Sequence, residues 1–209
     1  MDATAGTPED DRVRPTGDGR AREWLMSALE ALLLVAPEPL TTGQAAAVTG
    51  VEEEEVRVVL EALKQEYASR RSGLEVVEVA GGWRLVTRAE FDGLVTRLEP
   101  SRTVPPLSPA ALETLAVVAY RQPLTRAEIE AVRGVRCEGV LATLVERGLV
   151  EEVGRREGPG RPILYGITRR FLEYFGLREL GDLPSLPETA EGRDERATGG
   201  NGAAPRAGS

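Results

Sequence analysis

A block of 22 residues, Pro39 to Leu60, recurs without a gap as Pro123 to Leu144, 84 positions further along, and ten of the 22 positions are identical. The identities are Pro39/Pro123, Leu40/Leu124, Thr41/Thr125, Ala47/Ala131, Val48/Val132, Gly50/Gly134, Val51/Val135, Glu54/Glu138, Val56/Val140 and Leu60/Leu144. Their spacing describes a fold unit. Thr41 is followed three residues on by Gln44, and Thr125 by Glu128. Each pair forms a capping box, in which the threonine oxygen takes an orphan amide and the longer side chain reaches back to the cap residue. Gly50 and Gly134 follow where a left-handed glycine ends a helix. A second apolar stripe then begins at i, i+3, i+4 spacing. It runs through Val56, Val59, Leu60, Leu63 and Tyr67 in the first copy, and through Val140, Leu141, Leu144 and Val145 in the second. Two helices joined by a tight glycine turn are predicted twice.

The flanks extend each copy. Upstream of the first, Trp24, Leu25, Ala28, Leu29, Leu32 and Leu33 define one face of a leading helix. Upstream of the second, Ser108 is a cap with Pro109 at the first helical position, and Leu112, Leu115, Ala116 and Ala119 supply the expected buried face. Downstream, Leu74 to Val79 and Trp83 to Thr87 are β-rich runs around a Gly81-Gly82 hairpin signal. Leu149 to Val153 and Ile163 to Ile167 flank a longer Gly/Pro/Arg loop. The expected fold is mainly α with small β-hairpins, an α+β chain of two tandem winged helices at 23–98 and 108–184. The Pro-rich stretch 99–107 is read as a stiff linker. The tails, 1–22 and 185–209, hold little that is apolar to bury and are expected to be disordered.

Chemistry of its own is not expected. The chain has no histidine and one cysteine, Cys137, so the commonest general base and a zinc cage are both missing. Gly154 to Gly160 resembles a phosphate loop only in glycine content, without the Gly-Lys-Ser/Thr ending. Glu52 to Glu55 read as a solvated first helical turn complementing the macrodipole. No cofactor and no metal are expected. No secretory signal or membrane-length apolar run is visible, and the expected compartment is the cytosol.

A winged helix invites a DNA-binding reading, which charge opposes. The net charge is −8, and each tail carries about −1 of it, the wrong sign for affinity built on neutralising phosphates. In the first copy the groove-entering position is occupied by Glu52 to Glu55. The second is less hostile, with Arg133 and Arg136 before its second helix and Arg155, Arg156 and Arg161 in its wing. A DNA-binding transcription regulator is therefore the alternative function.

The strings LETLAVVAYRQPLTRAEIEAVRGV (112–135) and GRPILYGITRRFLEYFGL (160–177), with LEALLLVAPEPLTTGQAAAVTG (29–50) and VEVAGGWRLVTR (77–88), resemble segregation and condensation protein B (ScpB). This is the winged-helix subunit of the bacterial condensin complex. The resemblance runs from about Trp24 to Pro184. It implies a non-enzymatic homodimer, formed largely through the first winged helix. Its implied partner is the kleisin ScpA, which connects it to the SMC ATPase. The role is chromosome condensation and segregation during cell division, in the nucleoid, with DNA association mainly indirect. Cys137 departs from the polar residue the resemblance leads one to expect, and bears on thiol sensitivity.

Candidate partner-binding residues lie in the second unit. Tyr120, Arg121, Gln122 and Pro123 occupy the turn between its first two helices, and tyrosine and arginine are favoured interface anchors. The alternative is that Tyr120 packs into the core and Pro123 only shapes the turn. Arg161, Pro162 and Tyr165 form the return strand of the wing. Phe171, Tyr174 and Phe175 follow at helical spacing and read as core. For dimerisation, Trp24, Leu25, Leu29 and Leu32 offer more apolar surface than a minimal unit hides, so Leu29→Asp is expected to give monomers.

Overall fold

The computed structural model describes residues 18–100 and 105–185. Most of the two expected tails lies outside the described residues, as does 101–104 of the expected linker. The first helix, α1 (Asp18–Val35), begins inside the expected N-terminal tail. Its Ala/Leu/Glu-rich run has high helix propensity, and it stops just before Pro37 and Pro39, where the residue ahead of a proline disfavours helix. Leu25, Leu29 and Leu33, spaced at i and i+4, are buried.

The repeat folds as its spacing predicts. In α2 (Thr42–Thr49) and α6 (Arg126–Arg133) the capping boxes of Thr41 with Gln44 and of Thr125 with Glu128 are both formed. Gly50 (φ 66°) and Gly134 (φ 69°) end these helices in the left-handed region. The second helices are α3 (Glu53–Ser69) and α7 (Glu138–Glu146). Val56, Val59, Leu60, Leu63 and Tyr67 of α3 are all buried, as are Leu141 and Leu144 of α7, whereas Val145 faces outward.

The first hairpin pairs β1 (Leu74–Val79) with β2 (Gly82–Thr87). Its turn is Ala80-Gly81 rather than the expected Gly81-Gly82. Both turn residues have positive φ, 50° and 69°, the geometry that matches strand twist in a two-residue loop. Gly82 instead belongs to β2. A Cβ there would lie 2.8 Å from the carbonyl oxygen of Pro39, where Leu40 and Trp83 exchange two backbone hydrogen bonds of 2.8 Å. That bridge staples the turn between α1 and α2 to the wing.

The second unit repeats the arrangement. Helix α5 (Pro109–Arg121) is capped by Ser108, whose Oγ accepts the Ala111 N–H. The bridge equivalent to Leu40–Trp83 is Leu124 opposite Tyr165, lengthened by Thr125 opposite Leu164 into a two-residue strand β3 (Leu124–Thr125). The sheet order is β3-β5-β4, with β4 at Val150–Arg155 and β5 at Ile163–Ile167. Helix α5 buries Ala111, Thr114, Leu115, Val118 and Ala119, while Leu112 and Ala116 of the expected face are exposed. Thr114 takes the inner position because its hydroxyl is satisfied: it donates to the Ala110 carbonyl (2.8 Å) and accepts from Arg133 Nη1 (2.8 Å).

Three further departures concern the connections. A short helix α4 (Asp92–Leu98), unforeseen, follows the first hairpin. The C-terminal part of the expected linker is structured: Leu107 is in the second core, and the Pro105 carbonyl accepts from Arg147 Nη1. After β5, α8 (Arg169–Phe175) is capped by Thr168 and buries Phe171, but Tyr174 and Phe175, expected as core, are exposed.

Each unit has its own apolar core, one built around Leu29, Val56 and Leu60, the other around Leu115, Ile129 and Leu144. The units meet through polar contacts. The turn amides of Ala80 and Gly81 donate to the carbonyls of Leu177 and Arg178 (2.8 Å each). Arg84 pairs with Glu173 (3.2 Å), and Arg169 Nη2 donates to the Pro39 carbonyl (2.6 Å).

Candidate partner-binding site

Pairing of β3 with β5 places the turn after α5 beside the return strand of the second wing, so the two expected sets of binding residues are neighbours. Within the first set the roles divide. The half-buried Tyr120 donates its hydroxyl to the Pro184 carbonyl (2.5 Å), tying down the end of the unit. Gln122 Oε1 accepts the Ile167 N–H (2.8 Å) and holds the end of β5. Both side chains are thus engaged within the fold, while Arg121 and Pro123 are exposed.

Arg161, Pro162 and Tyr165 line a groove of about 380 Å³ between the first turn of α6 and the wing. Its apolar wall comprises Ala127, Pro162, Ile163 and Tyr165, and Arg126, Arg155 and Arg161 carry the charge around it. Arg126 is compensated by Glu138 (2.7 Å), and Arg156, on the same wing, by Glu128 (2.6 Å). The Arg155 side chain donates to the Arg161 carbonyl (3.3 Å). Neither Arg155 nor Arg161 has a carboxylate partner among the described residues. Arg161 has φ 38°, a left-handed backbone uncommon for any residue but glycine. The sequence offered no signal for Arg126 or Ile163, which reach this groove only because β3 pairs with β5.

Glu128 holds the groove wall in place. Its carboxylate accepts from the Thr125 amide and hydroxyl (2.8 Å each) as well as from Arg156. These bonds, that of Arg156 first, lower its pKa from the ordinary 4.5 to about 2. The folded-state pKa is depressed, so the stabilisation is complete above about pH 4.5 and is lost as pH falls toward 2. Glu128→Gln is expected to flatten the acid limb of second-unit melting, followed by circular dichroism, across that window. Glutamine already closes the capping box in the first copy, so this substitution removes charge and keeps the geometry. An unchanged acid slope would show that Glu128 does not set it.

Other candidates resolve differently. Arg133 pairs with Glu113 (2.8 Å) and with Thr114, a structural role. Cys137 is buried, and burial first, then Glu130, push its thiol pKa up, the opposite of a reactive thiolate. Leu25 and Leu29 lie inside the core of a single chain and present no dimerisation surface; Trp24 and Leu32 are half-buried against that core. Exposed apolar residues of this unit lie elsewhere, among them Leu34 and Val35 (71 % and 73 % exposed), Val48 (68 %) and, on α4, Leu94 and Leu98 (61 % and 84 %). Leu94 and Leu98, at i and i+4, were legible as an apolar pair had the helix been recognised.

Two small helical units, each carrying an antiparallel hairpin, with an arginine-edged groove beside the second hairpin, define the class of protein; no group of side chains among the described residues is set to hold a metal ion. No helix among the described residues is long and apolar enough to cross a membrane. The family model for "Segregation and condensation complex subunit ScpB" matches residues 27–186, and the chain belongs to this family. It is 49 % identical over 182 residues to segregation and condensation protein B of Moorella thermoacetica, covering 87 % of this chain and 93 % of that one. Identity to the Symbiobacterium thermophilum protein of the same name is 53 % over 158 residues, 76 % of this chain and 72 % of the relative. Among solved structures, ScpB from Mycobacterium tuberculosis is 41 % identical, covering 78 % of this chain and 99 % of its own, with a TM-score of 0.38. A dimer of the ScpB N-terminal domain complexed with ScpA peptide is 33 % identical, covering 37 % of this chain and 98 % of its own, with a TM-score of 0.36.

Proposed function

We propose that this chain is a non-enzymatic condensin subunit built of two winged helices, 23–98 and 108–184. In this reading it forms a homodimer through the first, binds the kleisin ScpA, and joins the SMC ATPase through it. It thereby supports chromosome condensation and segregation on the cytoplasmic nucleoid, and its contact with DNA is mainly indirect. The observation that carries the reading is the family match across both units, 27–186, together with near-complete coverage of the Moorella relative. ScpA is the partner named for the solved N-terminal domain. The absence of histidine and the net charge of −8 fit protein contacts better than catalysis or phosphate neutralisation.

Within this reading, kleisin contact belongs to the exposed Arg121 and Pro123 and to Arg161, Pro162 and Tyr165. Dimerisation belongs to Leu34, Val35, Leu94 and Leu98, with Trp24 and Leu32 at the margin. An isologous interface buries the same patch on both copies, and Leu34, Val35, Leu94 and Leu98 are apolar and exposed in the single chain. The test is recovery of the tagged chain from its native cell, with mass spectrometry and light scattering on the eluate. A dimer accompanied by a kleisin and an SMC protein is expected. Recovery with DNA fragments that share a sequence, and without a kleisin, would replace this reading with that of a transcription regulator.

A further inference from the structure

We propose that the groove between α6 and the second wing is the docking site for an extended, acidic segment of the kleisin, gripped by Arg155 and Arg161 beside an apolar wall. This rests on the kleisin-binding reading above and adds the surface and the chemistry of the segment it takes.

Shape comes first. Strand β5 is the central strand of the sheet, yet β3 covers it for only two residues before the chain turns into α6 at Arg126. Ile163 is paired with Arg155 on its β4 side, and on the other side it borders the groove. An extended segment fits where β3 stops, with a peptide group beside Ile163 and alternate side chains turned to the wall, a short version of recognition by strand addition. Pro162, Ile163 and Tyr165 offer that wall an apolar anchor point, and tyrosine is among the residue types that dominate interface energies.

Charge then selects the occupant. The chain carries −8 overall, and the neighbouring cations Arg126 and Arg156 are spoken for by Glu138 and Glu128. Arg155 and Arg161 are left without carboxylates among the described residues, at the edge of a groove that has an apolar wall. A guanidinium presents a planar fork of donors suited to a carboxylate, so glutamate or aspartate side chains flanking an apolar residue complement the site. The left-handed backbone at Arg161 is a conformation proteins retain where the surroundings or a function require it. A DNA duplex fits less well: two free cations neutralise few phosphates, and Glu128 and Glu138 stand beside them.

The test uses the full chain and the complete kleisin from the same cell, titrated by calorimetry at low and high salt. The exposed pair is reversed as Arg155→Glu with Arg161→Glu. A charge-matched control, Arg136→Glu with Arg170→Glu, alters exposed arginines of the same unit that lack carboxylate partners. Melting curves of both variants establish that they fold. The groove variant is expected to bind the kleisin about tenfold or more weakly, with the control within about twofold of wild type. Lysine substitutions in the matching acidic segment of the kleisin are expected to restore binding to the groove variant. Equal binding by wild type and groove variant would overturn the proposal and leave the kleisin reading standing. Failure of the wild-type chain to bind the kleisin would remove that reading, and the proposal with it. If the variant lost affinity for a short DNA duplex and kept its affinity for the kleisin, the groove would be a nucleic-acid surface and the proposal would be wrong.

Discussion

Leu29→Asp unfolds the first unit and does not release folded monomers. Leu29 is fully buried in the core that also holds Leu25, Leu33, Val56 and Leu60. An aspartate there either keeps an unpaired charge out of water or takes up a proton. Raising its pKa from about 3.9 to above 7 costs about 4 kcal/mol, and the lost leucine burial costs about 2 to 3 kcal/mol more. That sum approaches or exceeds the roughly 5 kcal/mol expected of a small domain. The readout is specific, because both tryptophans of the chain, Trp24 and Trp83, lie in the first unit and pack in or against its core. Their emission should shift to that of a solvated indole without denaturant, while circular dichroism retains the signal of the second unit. Native emission from a folded protein, monomer or dimer, would show that Leu29 is not core.

Leu144→Ala produces the second large loss, on the other side of the chain. Leu144 is fully buried with Leu115, Val118, Ile129 and Phe171 in the second core, which shares no residue with the first. Truncation leaves a cavity that a small core closes only partly, at a cost of about 2 to 5 kcal/mol. The measurement is a urea melt followed by circular dichroism, with tryptophan emission alongside to report the first unit. Leu112→Ala is the internal comparison: Leu112 is exposed, so its truncation should cost no more than about 0.5 kcal/mol. A loss below about 1 kcal/mol for Leu144→Ala, or equal losses at the two positions, would mean that the burial pattern of the second unit is wrong.

Where sequence and structure agree, the information is local. The capping boxes, the two left-handed glycines, the stripe of α3 and the Ser108-Pro109 start of α5 each depend on residues within a turn or two of one another, and all were in place. The errors share the opposite character. Leu112 and Thr114 are two positions apart on α5, and hydrophobicity alone chose the wrong one. Thr114 is admitted to the core by Arg133, 19 residues away. The hairpin turn shifted from Gly81-Gly82 to Ala80-Gly81 because Gly82 is claimed by the close approach of Pro39, a neighbour only in space. Trp24, Leu25, Leu29 and Leu32 read as an interface in sequence because a single helix does not reveal how much of its apolar face its own unit consumes.

The same division governs the candidate site. That Tyr120, Arg121, Gln122 and Pro123 form a turn, and that Arg155 and Arg161 lie in a wing, was legible from turn chemistry and strand pattern. That Tyr120 and Gln122 are occupied in holding Pro184 and Ile167, and that Arg161 joins Arg126 and Ile163 in one groove, was not. Sequence by itself determined the duplication, the order of helices and hairpins and the excess of negative charge, since helix caps, periodicity and net charge are short-range or additive properties of the chain. Tertiary structure alone decided which apolar residues are spent on the cores and which arginines are left without partners. Burial and ion pairing depend on what the fold brings within a few ångströms, and no spacing along the chain encodes that directly.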